Sequence, residues 1–227
     1  MRLSQGIIFA VLIVIVALPC LGQTIFWTGT GNGVWTEPSN WNPQQVPTAQ
    51  DTVEIGNLNT VTYTQSNQTI AKLRITGRAT FNIDGPNARL DIIGSATEGL
   101  EMNLQATLNI DQGTLWITNT HTNAVTLDDR STITNRDNLF ISNYGLFGIS
   151  ITDNSTLNNH GLLNIDQLNL TQASTGIYAL DGSLHNHSSG EMFVSTCNSL
   201  PTSRLDVALG FTYIDDGSSL YWKRNCN

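Results

Sequence analysis

Along most of the chain, apolar and polar residues alternate in short runs, and the runs return in a set order. The first run is Ala79-Thr80-Phe81-Asn82-Ile83, which comes back from Ala106, Ser131, Ser155 and Gly182 in steps of 27, 25, 24 and 27 residues. A second follows each time: Leu90-Asp91-Ile92, Leu115-Trp116-Ile117, Leu139-Phe140-Ile141, Leu163-Asn164-Ile165 and Met192-Phe193-Val194. A third closes the unit at Met102-Asn103-Leu104, Val125-Thr126-Leu127, Ile149-Ser150-Ile151 and around Ile177 to Leu180. Alternation with period two turns one side of a strand inward and the other toward water. Gly, Asn and Asp fill the gaps, where they tolerate bends.

Three short strands per unit of ~25 residues predict an all-β fold, a single-stranded right-handed parallel β-helix of about five to seven turns with capped ends. Leu108, Ile133 and Leu157 then stack as one inward column. Leu115, Leu139 and Leu163 make a second, with Ile117, Ile141 and Ile165 a third. Weaker copies at Val53-Glu54-Ile55, Val61-Thr62-Tyr63 and Leu73-Arg74-Ile75 add a turn upstream. An antiparallel sandwich also uses many short strands, but it predicts no fixed order of three phrases.

The two ends depart from the repeat. Arg2, an apolar block from Gly6 to Leu18 and Gly22 have the order of a secretory signal, residues 1–22. The block is too short for a membrane span of ~20 residues, so no span is expected in the mature chain. Pro19, where a small residue would precede a lipidated Cys20, argues against lipidation. Residues 23–52 read as a Trp-rich amino-terminal cap, 53–196 as the repeats and 197–227 as a carboxy-terminal, hairpin-like cap. In an oxidising compartment Cys197 and Cys226 are expected to form a disulfide.

Trp27, Gly29, Trp35, the pair Asn40-Trp41, Val46-Pro47 and then Asp51-Thr52-Val53-Glu54-Ile55 form an ordered series. This opening resembles that of secreted bacterial surface proteins, including autotransporter-like adhesins with parallel β-helix stalks. The resemblance implies an exported adhesin or surface-layer type of protein; it is silent on ligand. A carboxy-terminal membrane barrel or sorting domain of that group is not recognisable here.

Composition narrows the chemistry. The net charge of −8 arises from 18 acids and 10 bases, with 12% of residues charged, so the clustered Lys and Arg that nucleic acid demands are missing and no nucleic-acid partner is expected. Asp128, Asp129, Asp153 and Asp181 end the third run in successive turns and would line an acidic ridge. Paired carboxylates can cleave glycosides or hold calcium, but Asp also serves bends through local hydrogen bonds, the plainer reading. His185 and His187 could offer a surface metal pair, though a third ligand is wanting. Sequons at Asn67, Asn154, Asn169 and Asn186 fit an Asn-rich surface. Trp27, Trp35 and Trp41 read as core over the first turn rather than as sugar platforms, and so do Trp116 and Trp222.

The sequence thus predicts no catalytic, cofactor or metal residues. It predicts a non-catalytic secreted or cell-surface scaffold, or an adhesin-like interaction protein, whose partner is an unidentified surface protein or glycan. The alternative is a polysaccharide-active enzyme or glycan-binding module on the same fold.

Overall fold

The structure is a computed structural model that describes residues 22–29, 32–94, 98–167, 174–196, 211–214 and 219–223, the last two segments as backbone only. The leader through residue 21, Cys197, Cys226 and Asn169 lie outside them. The chain coils into a parallel β-solenoid of about six turns. No helix among the described residues is long and apolar enough to cross a membrane.

Each turn places one strand on each of three faces. Face one runs through Thr60–Tyr63, the first half of Thr80–Ile93 and of Thr107–Thr118, then Thr132–Asn135, Thr156–Asn159 and Ser183–Asn186. Face two takes Gln68–Ile70, the second halves of the two long strands, Asn138–Ser142, Leu162–Gln167 and Glu191–Thr196. Face three stacks Thr24–Trp27, Thr52–Ile55, Lys72–Ile75, Leu100–Met102, Val125–Leu127, Phe147–Thr152 and Thr175–Leu180. Two central turns therefore fuse two short strands into one bent strand. The register shift near Gln112 absorbs the bend, and Gly113 there holds φ +119, where a Cβ would lie 2.6 Å from the Ala88 carbonyl oxygen.

The three expected columns form in direct register. Leu108 faces Ile133 and Ile133 faces Leu157; Leu115, Leu139 and Leu163 align, as do Ile117, Ile141 and Ile165. All nine side chains are buried. Burying a Leu or Ile contributes about 1.5–3 kcal/mol, so these columns offset much of the chain entropy lost in ordering each coil.

One phrase sits elsewhere than expected. The strand that pairs with Val125–Leu127 is Leu100–Met102, not the run from Met102 to Leu104. Leu104 has the same parity as Met102, so alternation alone could not separate them. The backbone at Leu104 turns left-handed, φ 54, and its side chain is exposed.

The Trp-rich opening joins the stack. Thr24–Trp27 pairs in parallel with Thr52–Ile55, and Asn32–Val34 with Thr60–Tyr63. Trp41–Asn42 crosses the outer edge of Thr24–Trp27 in the antiparallel sense. Trp27, Trp35 and Trp41 are buried and meet edge to face, with ring centroids 4.8 Å and 5.0 Å apart. Trp35 also touches Tyr63 and Phe81, so the aromatic cluster plugs the open end of the prism.

The hairpin expected near the carboxy end is replaced by more solenoid. Phe211–Ile214 pairs in parallel with Ser183–Asn186, and Ser219–Lys223 with Glu191–Thr196. Both strands extend existing sheet edges, which an Asp215-Asp216-Gly217 turn signal does not reveal.

Inside, the aliphatic filling gives way to amide. The inward position held by Ile83 and Ile110 is taken by Asn135, Asn159 and Asn186 in the next three turns, and all three are buried. Asn186 is therefore an interior residue, not the surface sequon its sequence suggested.

Candidate functional site

The ridge between faces three and one is built from backbone. At this corner two consecutive residues adopt positive φ in five turns, Asn57 and Leu58, Gly77 and Arg78, Leu104 and Gln105, Asp129 and Arg130, Asp153 and Asn154, and Asp181 does so singly in the next. Rungs link the corners: Arg78 N–H donates to Leu104 O at 2.9 Å, Gln105 to Asp129 O at 2.9 Å, Arg130 to Asp153 O at 3.0 Å and Asn154 to Asp181 O at 2.7 Å. Asn and Asp tolerate left-handed backbone better than most residues, which is why acids gather here.

The corner brings Asp128, Asp129 and Asp153 together, with one carboxylate oxygen of each within 4.8 Å of the others; Asp181 acts on Asp153 as a further charge. Asp153 shares a hydrogen bond with Asp128, and this, with the charges of Asp128, Asp129 and Asp181, raises its carboxyl above the usual range. Thr152 Oγ1 donates to Asp128 at 2.9 Å. Beside the acids lies a shallow recess lined by Leu104, Gln105, Asp129, Arg130, Asp153 and Asn154. The 4.8 Å span of these oxygens lies near the ~5–5.5 Å carboxyl spacing of retaining glycoside hydrolysis and below the ~6.5–9.5 Å of the inverting kind.

Face two carries Trp116 and Phe140, while on face three Phe26 is exposed and Phe147 stacks on Tyr178 with ring centroids 4.7 Å apart. Trp116 is exposed, whereas the three amino-terminal tryptophans are buried. Its ring lies 6.1 Å from that of Phe140 in the next turn, and the Arg89 guanidinium sits 4.5 Å over it. The indole N–H donates to Ser142 Oγ at 3.3 Å, and Ser142 donates to Thr118 Oγ1 at 2.9 Å. Asp91 holds Arg89 in an ion pair of 2.8 Å. Trp116 was expected in the core; its even place in the strand turns it out instead. Trp222 lies among the residues described as backbone only.

Sequence reasoning paired His185 with His187. The structure stacks His187 on His160, a full turn back, with centroids 3.8 Å apart, while His185 is 6.1 Å away. Only the three-dimensional coil could show that neighbour.

These features define a parallel β-solenoid with an acidic corner ridge and an aromatic face. Comparison with protein-family models, with curated proteins and with solved structures finds no match to the chain.

Proposed function

We propose that the chain is a non-catalytic scaffold, secreted or held at a cell surface in the manner of bacterial adhesins, which presents a rigid face to a glycan or protein of another surface. The observation that carries this reading is Trp116, exposed at the centre of a sheet whose inward side is solid aliphatic core. Its flanks, Phe140 and Arg89, leave a preorganised amphipathic platform, the kind that binds with little loss of side-chain freedom. The signal-like leader and the Trp-to-Ile55 opening support export and surface use.

The test is binding of the full chain to a glycan array and to immobilised surface proteins, with Trp116→Ala alongside. The expected result is specific binding that falls at least tenfold in the variant while thermal melting stays unchanged. Turnover of acidic or neutral polysaccharides that disappears in Asp128→Asn and Asp153→Asn would overturn it in favour of a polysaccharide-active enzyme.

A further inference from the structure

Face one differs from the others in what it shows to water. Over six turns its first outward column is Thr60, Thr80, Thr107, Thr132, Thr156 and Ser183, aligned partner to partner by the strand register, which places Asn32 before it and Phe211 after it. The second is Thr62, Asn82, Asn109, Thr134, Asn158 and His185, between Val34 and Tyr213 in register. No Lys, Arg, Asp or Glu enters either column. The corresponding positions of face three carry Glu54, Arg74 and Glu101, and those of face two carry Arg89, Asp91 and Trp116. All three faces obey the same strand geometry, so β-propensity alone does not account for the difference.

The columns form a lattice. Successive rows lie ~4.8 Å apart and the two outward positions of one strand ~6.7 Å apart. Threonine is stiff at χ1, so its hydroxyl and methyl are placed by the backbone rather than by a mobile chain. Within the lattice Asn109 donates to Asn82 at 2.8 Å, and Thr156 and Ser183 hydroxyls meet at 3.0 Å. Residues of both columns keep part of their surface open to water over six successive turns.

A small solute could use only one or two rows of such a surface. A partner that is itself periodic gains from every row, and because the groups are already in place the gains add with little ordering cost. A charged mineral would call for charged side chains, and a crystalline polysaccharide for a run of flat rings, of which the outward positions of the six rows from Thr60–Tyr63 to Ser183–Asn186 hold His185 alone. A partner built wholly of groups that each donate and accept hydrogen bonds, as a threonine hydroxyl does, is ice. We infer that face one binds the surface of ice crystals through its Thr and Asn columns, independently of the Trp116 face.

The experiment is slow freezing of a dilute solution of the full chain onto a cold surface, followed by measurement of protein in ice and liquid, with an ice-recrystallisation assay in parallel. The variants are Thr107→Lys/Thr132→Lys on face one and Trp116→Ala on face two. The wild type and Trp116→Ala are expected to be enriched in ice several-fold over a bystander protein and to slow crystal coarsening, and the double lysine variant to be excluded. If that variant does not melt as the wild type does, Thr132→Tyr alone carries the same expectation. Exclusion of the wild type from ice, or retention of a folded face-one variant, overturns the inference. So does capture of insoluble chitin or cellulose through face one without any capture of ice. A loss seen only with Trp116→Ala on glycans bears on the scaffold proposal and leaves this one standing.

Discussion

Asn135 donates from Nδ2 to Oδ1 of Asn159 at 2.8 Å across one turn of the solenoid, and neither side chain reaches water. The same amide also donates to Leu162 O at 3.0 Å, while Asn159 donates to Asn186 Oδ1 at 2.7 Å and to Glu191 O at 3.1 Å. The ladder binds the corner between faces one and two in the turns where the strand breaks. In the turns with fused strands, Ile83 and Ile110 fill that position.

Substituting Asn159 by Leu keeps the branching of the side chain but removes the amide that accepts from Asn135 Nδ2 and donates to Asn186 Oδ1 and Glu191 O, and it adds bulk to a packed interior. A buried polar group left without a partner costs about 1–3 kcal/mol. Asn159→Leu is expected to lower stability by roughly 3 kcal/mol, read as a lower urea midpoint.

Leu139 lies between Leu115 and Leu163 in a filled column. Leu139→Ala leaves a cavity and is expected to cost about 3–5 kcal/mol. Because each coil touches only its neighbours, hydrogen exchange should rise most in the turns around Leu115 and Leu163. The Trp27, Trp35 and Trp41 end should change little.

Two glycines with positive φ should respond differently. At Gly113, φ +119, an added Cβ would meet Ala88 O at 2.6 Å, and the N–H donates to Asp137 Oδ2 at 2.6 Å. At Gly77, φ +62, the nearest atom is Asn57 N at 3.1 Å, and Leu, Asp and Asn already adopt that conformation in other turns. Gly77→Ala should cost about 1 kcal/mol, and Gly113→Ala clearly more, by thermal melting of the two variants.

Tyr63 ties the alkaline limit to the core. Burial, with the nearby charge of Asp91 adding to it, pushes its phenol up to about 12, against the hydrogen bond from Gln68 N–H; its own hydroxyl donates to Arg89 O at 2.8 Å. The folded pKa lies above the unfolded one, so the contribution is complete below about pH 10. It is lost as pH rises toward about 12. Tyr63→Phe should flatten that part of a stability-against-pH curve, with tyrosinate absorbance showing one slow-titrating phenol fewer.

Glu101 gives the acid counterpart. Burial would raise its carboxyl, but hydrogen bonds and charges from Lys72 and Arg74 outweigh this and hold it below the usual range. The stabilisation is present above the unfolded pKa and fades as pH falls through the folded one. Glu101→Gln should therefore shallow the acid limb, by about 1 kcal/mol, since Lys72 and Glu101 are mostly covered while Arg74 is more open to solvent.

The solenoid was legible because its core obeys period two: the Leu115, Leu139 and Leu163 column needed only counting. The Asn ladder was hidden by chemistry rather than position. Asn135 stands where Ile110 stands, an inward place, yet asparagine is read as surface until a partner one coil away is seen. The phrase at Leu100 was misplaced because Leu104 shares its parity, and the closing strands because a turn signal does not say which earlier edge they join. At the candidate site, the grouping of Asp128, Asp129 and Asp153 follows from their place after the third run. The exposure of Trp116 follows from its even place between Leu115 and Ile117, a signal in the sequence that runs against the general habit of tryptophan.

The left-handed corner that carries Asp129 and Asp153 is linked from turn to turn by main-chain rungs. Its shape is thus uncoupled from the side chains it displays, and Leu58, Arg78, Gln105, Arg130 and Asn154 occupy equivalent posts without altering the bend. Such an edge can change in charge and size by substitution while the prism beneath it keeps its shape, so the surface it offers to a partner can be rewritten without refolding the molecule.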